Sequence, residues 1–207
     1  MNEPFLEPIL RKMRIAKVLP VLNRINSALL SQSSHSSDKL IRLLDVGCGW
    51  EAKFLRAVEP YIASGIGIDF KAPNLETAKL KTVTVTLDDK LPFEDNSFDV
   101  VSLMAVLEHL EKPLDILKEI HRVLRKEGGV SGVLVGTVPS KAAKPVLEFL
   151  SYKLGIVNEA EIRDHKQYFN KKDLAEIFAK AGFGKMEHKY FQFGMNNFFA
   201  AFTLPKQ

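Results

Sequence analysis

Six residues, Gly47-Cys48-Gly49-Trp50-Glu51-Ala52, carry the first chemistry the chain offers. They follow the apolar run Leu43-Leu44-Asp45-Val46 and precede Lys53-Phe54-Leu55, a pattern of strand, tight glycine turn and helix. Glycines in such a turn let the backbone approach a ligand closely, and the start of the helix presents free N–H groups. Asp69 closes the next apolar run some twenty residues on, the distance at which an acidic side chain accepts from ribose hydroxyls. The alternative for Asp69 is a cap on the following turn. Two histidines, His109 in Val106-Leu107-Glu108-His109-Leu110 and His165 in Asp164-His165-Lys166, are candidates for a general base. The alternative for each is a capping or packing role. A nucleotide-like ligand is the chemistry these spacings point to.

The loop reads in two ways. Gly-x-Gly-x-x-Ala is a tolerated form of the dinucleotide fingerprint. Gly-x-Gly-x-Gly, with Glu51 in the last glycine place, is an altered loop for S-adenosylmethionine (SAM). Charge separates the two. A pyrophosphate would sit on the helix N-terminus, where Glu51 and the nearby Asp45 oppose it. SAM carries a sulfonium and an ammonium against one carboxylate, and two acids suit it better. The rival readings are an NAD(P)-dependent oxidoreductase and a degenerate binding subunit disabled at Glu51.

The chain has 207 residues, enough for one domain with an appendage. A hydrophobic share of 46% and a charged share of 26% are ordinary for a globular protein. Cys48 is the single cysteine, which excludes an internal disulfide and a cysteine-rich zinc site, and no metal is expected. The net charge of +4 is too small to argue for nucleic acid. No apolar run is long enough to span a membrane, and the N-terminus lacks the pattern of a secretory signal, so a cytoplasmic protein is expected.

Elements must position these groups. Strands are predicted at Ile41–Val46, Gly65–Asp69, Thr82–Thr86, Phe98–Met104 and Val130–Val138, with helices at Ala52–Glu59, Leu75–Leu80, Leu114–Arg125 and Ala142–Leu154. The alternation, with near-continuous apolar strands, predicts a doubly wound α/β fold with a mostly parallel sheet. Asn170 with Asp173 reads as the cap of a further helix that Gly182 ends. Lys185–Phe193 and Asn197–Leu204 are separated only by Gly194-Met195-Asn196, so the sheet should end in an antiparallel pair. Residues 1–38 read as a helical appendage, which Pro20 should kink or break, followed by a serine-rich linker; residues 39–207 form the main domain. The basic face of residues 1–30 admits a packed helix, a lid over the site or a membrane-surface helix.

The segments LLDVGCG, GIGIDF, LPFEDNSFDVVSLMAVLEHLEKP, EIHRVLRKEGG and DHKQYF…AKAGF together resemble the class I SAM-dependent methyltransferases, in the type 11 branch that includes the ubiquinone/menaquinone C-methyltransferases. The resemblance implies a Rossmann-like, seven-stranded sheet whose last strand is inserted antiparallel. It implies that Asp45, Gly47, Cys48 and Gly49 line the methionine part of SAM, Cys48 as a structural residue rather than a reactive thiol. Asp69 would take the ribose, Phe70 would flank adenine, Asp88 or Asp89 would accept from the adenine amino group, and Ala105 and Val106 would pass near the sulfur. Glu51 and Glu127 depart from the family pattern.

Methyl transfer from a sulfonium is an in-line displacement, which asks mainly for alignment and dryness, and for a base where the acceptor must lose a proton. The Ser102-Leu103-Met104-Ala105 stretch lacks the run used for amino groups of nucleic-acid bases, and no RNA-binding platform is visible. The expected acceptor is therefore a small molecule, or a lipid- or sugar-linked intermediate. The VPSKAAKPVLEF and DHKQYF stretches also resemble methyltransferases of cell-surface polysaccharide pathways.

Overall fold

A computed structural model describes residues 7–32, 40–87, 90–144 and 166–204. The described elements run α1 (Glu7–Leu30), β1 (Arg42–Val46), α2 (Lys53–Val58), β2 (Ser64–Asp69), β3 (Leu80–Thr84), β4 (Val100–Met104), α3 (Pro113–Val123), β5 (Val133–Pro139), α4 (Lys171–Lys180), β6 (Lys185–Phe191) and β7 (Asn196–Phe202). Short 3-10 turns at Glu59–Tyr61 and Leu107–His109 follow α2 and β4.

The strands form one seven-stranded sheet in the order β3-β2-β1-β4-β5-β7-β6. β1 to β5 are parallel, and β7 lies antiparallel between β5 and β6. This is the doubly wound sheet with an inserted antiparallel strand that the sequence predicts. The chain leaves β1 toward β2 and β3, then returns to add β4 on the other side. The order therefore reverses between β1 and β4, and a crevice opens at their C-terminal ends.

Both faces of the sheet are covered. α3 buries Ile116, Leu117, Ile120 and Val123, and α4 buries Leu174 and Phe178, in a cluster with Leu44, Leu103 and Phe199. On the other face, Val18, Val21, Leu22, Ile25 and Leu29 of α1 pack with Leu43, Val133, Val135 and Phe198. α4 begins on the predicted capping box: Asn170 accepts from the Asp173 N–H, and Asp173 accepts from the Asn170 N–H. It ends at Gly182, whose φ of 100° suits only glycine readily.

Several expectations need correction. Leu75–Leu80 is not a helix. Thr77 Oγ1 accepts from the N–H groups of Lys79 and Leu80, Thr82 Oγ1 accepts from that of Leu75, and β3 starts at Leu80. Six residues after a proline cannot nucleate a helix against such local side-chain bonds. Pro20 does not break α1, because buried residues on both sides of it hold the helix to the sheet. β4 and β5 begin later than predicted, at Val100 and Val133. β6 stops at Phe191 because Gln192, Phe193 and Gly194 all take positive φ and form the turn. Asp99, just before β4, is 2% exposed and pairs with Arg42 at 3.1 Å and Arg125 at 3.2 Å. The helix expected at Ala142–Leu154 lies, beyond Lys144, outside the described residues.

Candidate functional site

The crevice is lined first by the loop after β1. The Gly47 and Cys48 N–H groups donate to the Ile68 carbonyl at 2.8 and 3.0 Å, folding the loop back over β2. Gly47 and Gly49 have φ of 75° and 69°, where a side chain is strained. Their surroundings differ. A Cβ on Gly47 would lie 2.4 Å from Val106 Cγ2, whereas one on Gly49 would meet nothing within 4 Å. Gly47 thus seats the loop against the segment after β4, and Gly49 faces open space that a side chain would fill.

Asp69 holds this loop in shape. Its Oδ2 accepts from the Gly49 N–H at 3.0 Å and its Oδ1 from the Lys71 N–H at 2.8 Å. Each oxygen keeps a lone pair. Turn capping and hydroxyl binding, alternatives in sequence, are therefore compatible at this one carboxylate. Phe70 is 64% exposed with Lys71 Nζ 4.8 Å from its ring centre, a flat apolar surface beside Asp69.

Asp45 is 1% exposed beneath the loop. Ser102 Oγ donates to its Oδ1 at 2.7 Å, and its Oδ2 has no partner among the described residues. Burial pushes its carboxyl up to about 7, against the Ser102 hydrogen bond and with some help from the charge of Asp69. A buried carboxylate with an open oxygen fits a cationic ligand group. Glu51 contributes little to that field, because its Oε2 pairs with Lys53 Nζ at 2.5 Å. The acid pair that faces the crevice is Asp45 and Asp69.

Cys48 is a buried free thiol whose Sγ is 3.5 Å from the Gly49 carbonyl. Burial, with the charges of Asp45 and Asp69, pushes it up to about 12, so it is inert at neutral pH. Ala105 takes φ 57°, and its N–H donates to the Thr137 carbonyl at 3.0 Å; Val106 then turns against Gly47. His109 ends the 3-10 turn and lines a cleft of about 570 Å³ with Leu87, Leu110, Glu111, Lys112, Ile116 and Lys166. Asp88, Asp89 and His165 lie outside the described residues. The N–H groups of Lys166 and Gln167, which follow His165 in the chain, donate to the Glu108 carbonyl at 2.9 and 3.3 Å.

Sequence reasoning passed over Ser102 and Glu108. Glu108 is 1% exposed, its Oε2 has no partner among the described residues, and burial pushes its carboxyl up to about 8. The signal was a charged residue inside Ala105-Val106-Leu107-Glu108, read there as part of a histidine motif. Among the described residues, no group of three or more His, Cys, Asp or Glu is placed to hold a metal ion.

A family profile described as a methyltransferase domain matches residues 44–131, which span the crevice from β1 through α3. A demethylmenaquinone methyltransferase of Geobacillus kaustophilus is 28% identical over 178 residues, 74% of this chain and 75% of that protein. The enzyme of that name from Staphylococcus aureus strain JH9 is 31% identical over 179 residues, 74% of this chain and 72% of that protein. A chain from the solved complex of the Haloferax volcanii Trm112 methyltransferase activator with a methyltransferase shares the fold, with a TM-score of 0.63 at 16% identity over 99% of this chain and 100% of that one. With the Gly47–Gly49 loop, Asp69 and the inserted β7 in place, the chain belongs to the class I SAM-dependent methyltransferases, in their type 11 branch.

Proposed function

We propose that this enzyme transfers the methyl group of SAM to a small-molecule acceptor, lipid- or sugar-linked, at oxygen or carbon. The observation that carries the reading is the Oδ2 of the buried Asp45, without a partner among the described residues, under a glycine loop whose Gly49 faces open space. Bound SAM supplies an activated methyl on a sulfonium. Asp45 accepts from the ammonium, and the loop at Gly47, Cys48 and Gly49 carries the methionine part. Asp69 accepts from the ribose hydroxyls, Phe70 covers one face of adenine, and Asp88 or Asp89 takes its amino group. Ala105 and Val106 form the floor near the sulfur. His165, or His109 in its place, accepts the acceptor's proton.

The relatives named demethylmenaquinone methyltransferases support a lipid-like acceptor. No described helix is long and apolar enough to cross a membrane. We assign residues 1–38 as the appendage and linker, 39–207 as the methyltransferase domain, and the cytoplasm as its compartment. Thermal unfolding with S-adenosylhomocysteine, NAD and NADP tests the cofactor. Stabilisation by S-adenosylhomocysteine alone is expected, and stabilisation by NAD alone would overturn the reading.

A further inference from the structure

Residues 85–99 join β3 to β4, and the described part of that connection contains no helix. A crossover between parallel strands is usually a helix, which satisfies its own backbone groups. This one finds its partners elsewhere. At its start the Val85 N–H donates to the Asp69 carbonyl at 3.1 Å, on the residue assigned to ribose. At its end the Asn96 and Phe98 N–H groups donate to the Arg122 and Val123 carbonyls at 3.2 and 3.1 Å.

Between those ends one ion pair of α3 holds the loop. Glu119 and Arg122 stand three apart, on one face of the helix. Arg122 Nε and Nη2 donate to Glu119 Oε1 and Oε2 at 2.9 and 2.8 Å, a bidentate pair. Nη2 also donates to the Leu91 carbonyl at 3.0 Å, and Nη1 to the Phe93 carbonyl and Asp95 Oδ1, both at 2.8 Å. A guanidinium has about five N–H donors, so every one of them has an acceptor here. Glu119 Oε2 accepts in turn from the Leu91 N–H at 2.9 Å. The peptide groups on both sides of Leu91 are thus bound to a single ion pair. The side chains anchor the segment as well: Leu91 is buried, and Phe93 meets Phe98 edge-on with ring centres 5.0 Å apart. The hydrogen bond from Arg122 is the chief cause holding the Glu119 carboxyl below the usual glutamate range, so the pair is ionised at neutral pH.

We propose that Arg122 and Glu119 are positioning residues for the adenine end of the SAM site, and that they set its preference for a 6-amino purine. This rests on the reading above that gives the adenine amino group to Asp88 or Asp89. Those residues stand three and two positions before Leu91, and after Val85. The placement of a carboxylate on so short a segment follows from where its two ends are held. One end hangs on Asp69 and the other on the Arg122–Glu119 pair. A misplacement of about 1 Å is enough to lose a hydrogen bond that reads one amino group. Lysine cannot replace the clamp, because its compact ammonium has no planar fork to bind a carboxylate and three further oxygens together.

The test is calorimetric titration of the full chain with S-adenosylhomocysteine and with S-inosylhomocysteine, in which an oxygen replaces the 6-amino group. The unaltered protein should prefer the adenosyl compound by about tenfold or more, because a carboxylate accepts from the amino group and repels the carbonyl. Arg122→Lys and Glu119→Gln should each weaken S-adenosylhomocysteine by about tenfold and S-inosylhomocysteine by less than about threefold, so the preference nearly disappears. A role in folding alone would lower the unfolding temperature and leave the preference unchanged, and that result would overturn the proposal. Equal weakening of both compounds would overturn it too. Glu119→Gln is isosteric and keeps one oxygen as an acceptor, so a folded variant is at hand even if Arg122→Lys unfolds. Equal binding of the two compounds by the unaltered protein would overturn the assignment of Asp88 or Asp89, and the proposal with it, while SAM binding stands. Failure of the unaltered protein to bind S-adenosylhomocysteine would instead overturn the methyltransferase reading and the adenine end it contains.

Discussion

Gly47 and Gly49 share a motif and a left-handed backbone, yet alanine should cost very different amounts at the two positions. Both substitutions carry the strain of an L-residue at positive φ, about 1–2 kcal/mol. At Gly49 nothing lies within 4 Å of the new methyl, so strain is the whole cost to stability. At Gly47 the methyl would lie 2.4 Å from Val106 Cγ2, which adds an overpacking cost of about 1–3 kcal/mol. Gly47→Ala should therefore destabilise by about 2–5 kcal/mol and Gly49→Ala by about 1–2. The two parts separate in a double-mutant cycle. Val106→Ala removes the clashing atoms, so the pair Gly47→Ala/Val106→Ala should recover about 1–3 kcal/mol relative to additivity, leaving the strain. Urea unfolding of the four proteins measures this, with unchanged m values as the check on two-state behaviour. SAM affinity should show the reverse order, because the Gly49 methyl enters the open space while the Gly47 methyl meets Val106. Additive effects of Gly47→Ala and Val106→Ala would refute the contact. Equal SAM affinity of Gly49→Ala and the unaltered protein would refute the cradle.

The raised carboxyls predict a pH dependence of the ligand-free protein. Asp45, pushed up by burial to about 7 in the folded state against 3.8 for an ordinary aspartate, binds its proton more tightly folded than unfolded. Its contribution is fully present below about pH 4 and lost as pH rises toward 7, on the order of 4 kcal/mol. Asp45→Asn should flatten this window in urea titrations, and Glu108→Gln the window from about pH 4.5 to 8; a slope unchanged in both variants would contradict their burial as acids. Glu51→Gly should change SAM affinity by less than about threefold, since the Glu51 carboxylate is already paired with Lys53; a tenfold gain by equilibrium dialysis would show that it obstructs the cofactor. His165→Ala should lower turnover by about 100-fold with SAM binding nearly intact, and unchanged turnover would remove it from the mechanism.

Caps, stops and turn lengths are legible in the chain itself. The cap at Asn170 and the stop at Gly182 depend on neighbours within a few residues, and the structure has both. The short interval between the last two strands required antiparallel pairing, which β6 and β7 show. Leu75–Leu80 departs from its apolar spacing for a local reason too: Thr77 and Thr82 offer the backbone partners that compete with a helix turn. Glu51 was weighed as a charge at the loop, and its neutralisation by Lys53 depends on rotamers that spacing does not specify. Among the readings open for the basic helix of residues 1–30, packing on the main domain is the one the described part of α1 shows, with Val18, Leu22 and Ile25 beside Val133 and Phe198.

The chain's own order of residues determined the glycine loop, the acidic residue after it, the alternation of strand and helix, and through resemblance the cofactor. Those features are periodic or local, and periodicity survives in one dimension. Only the tertiary structure decided that the sheet reverses between β1 and β4, that Asp45 is buried while Glu51 pairs with Lys53, and that Glu108 is buried. Burial decides whether a charge is a solvated ornament or an unmet hydrogen-bonding group, and burial is made by residues far apart in the chain.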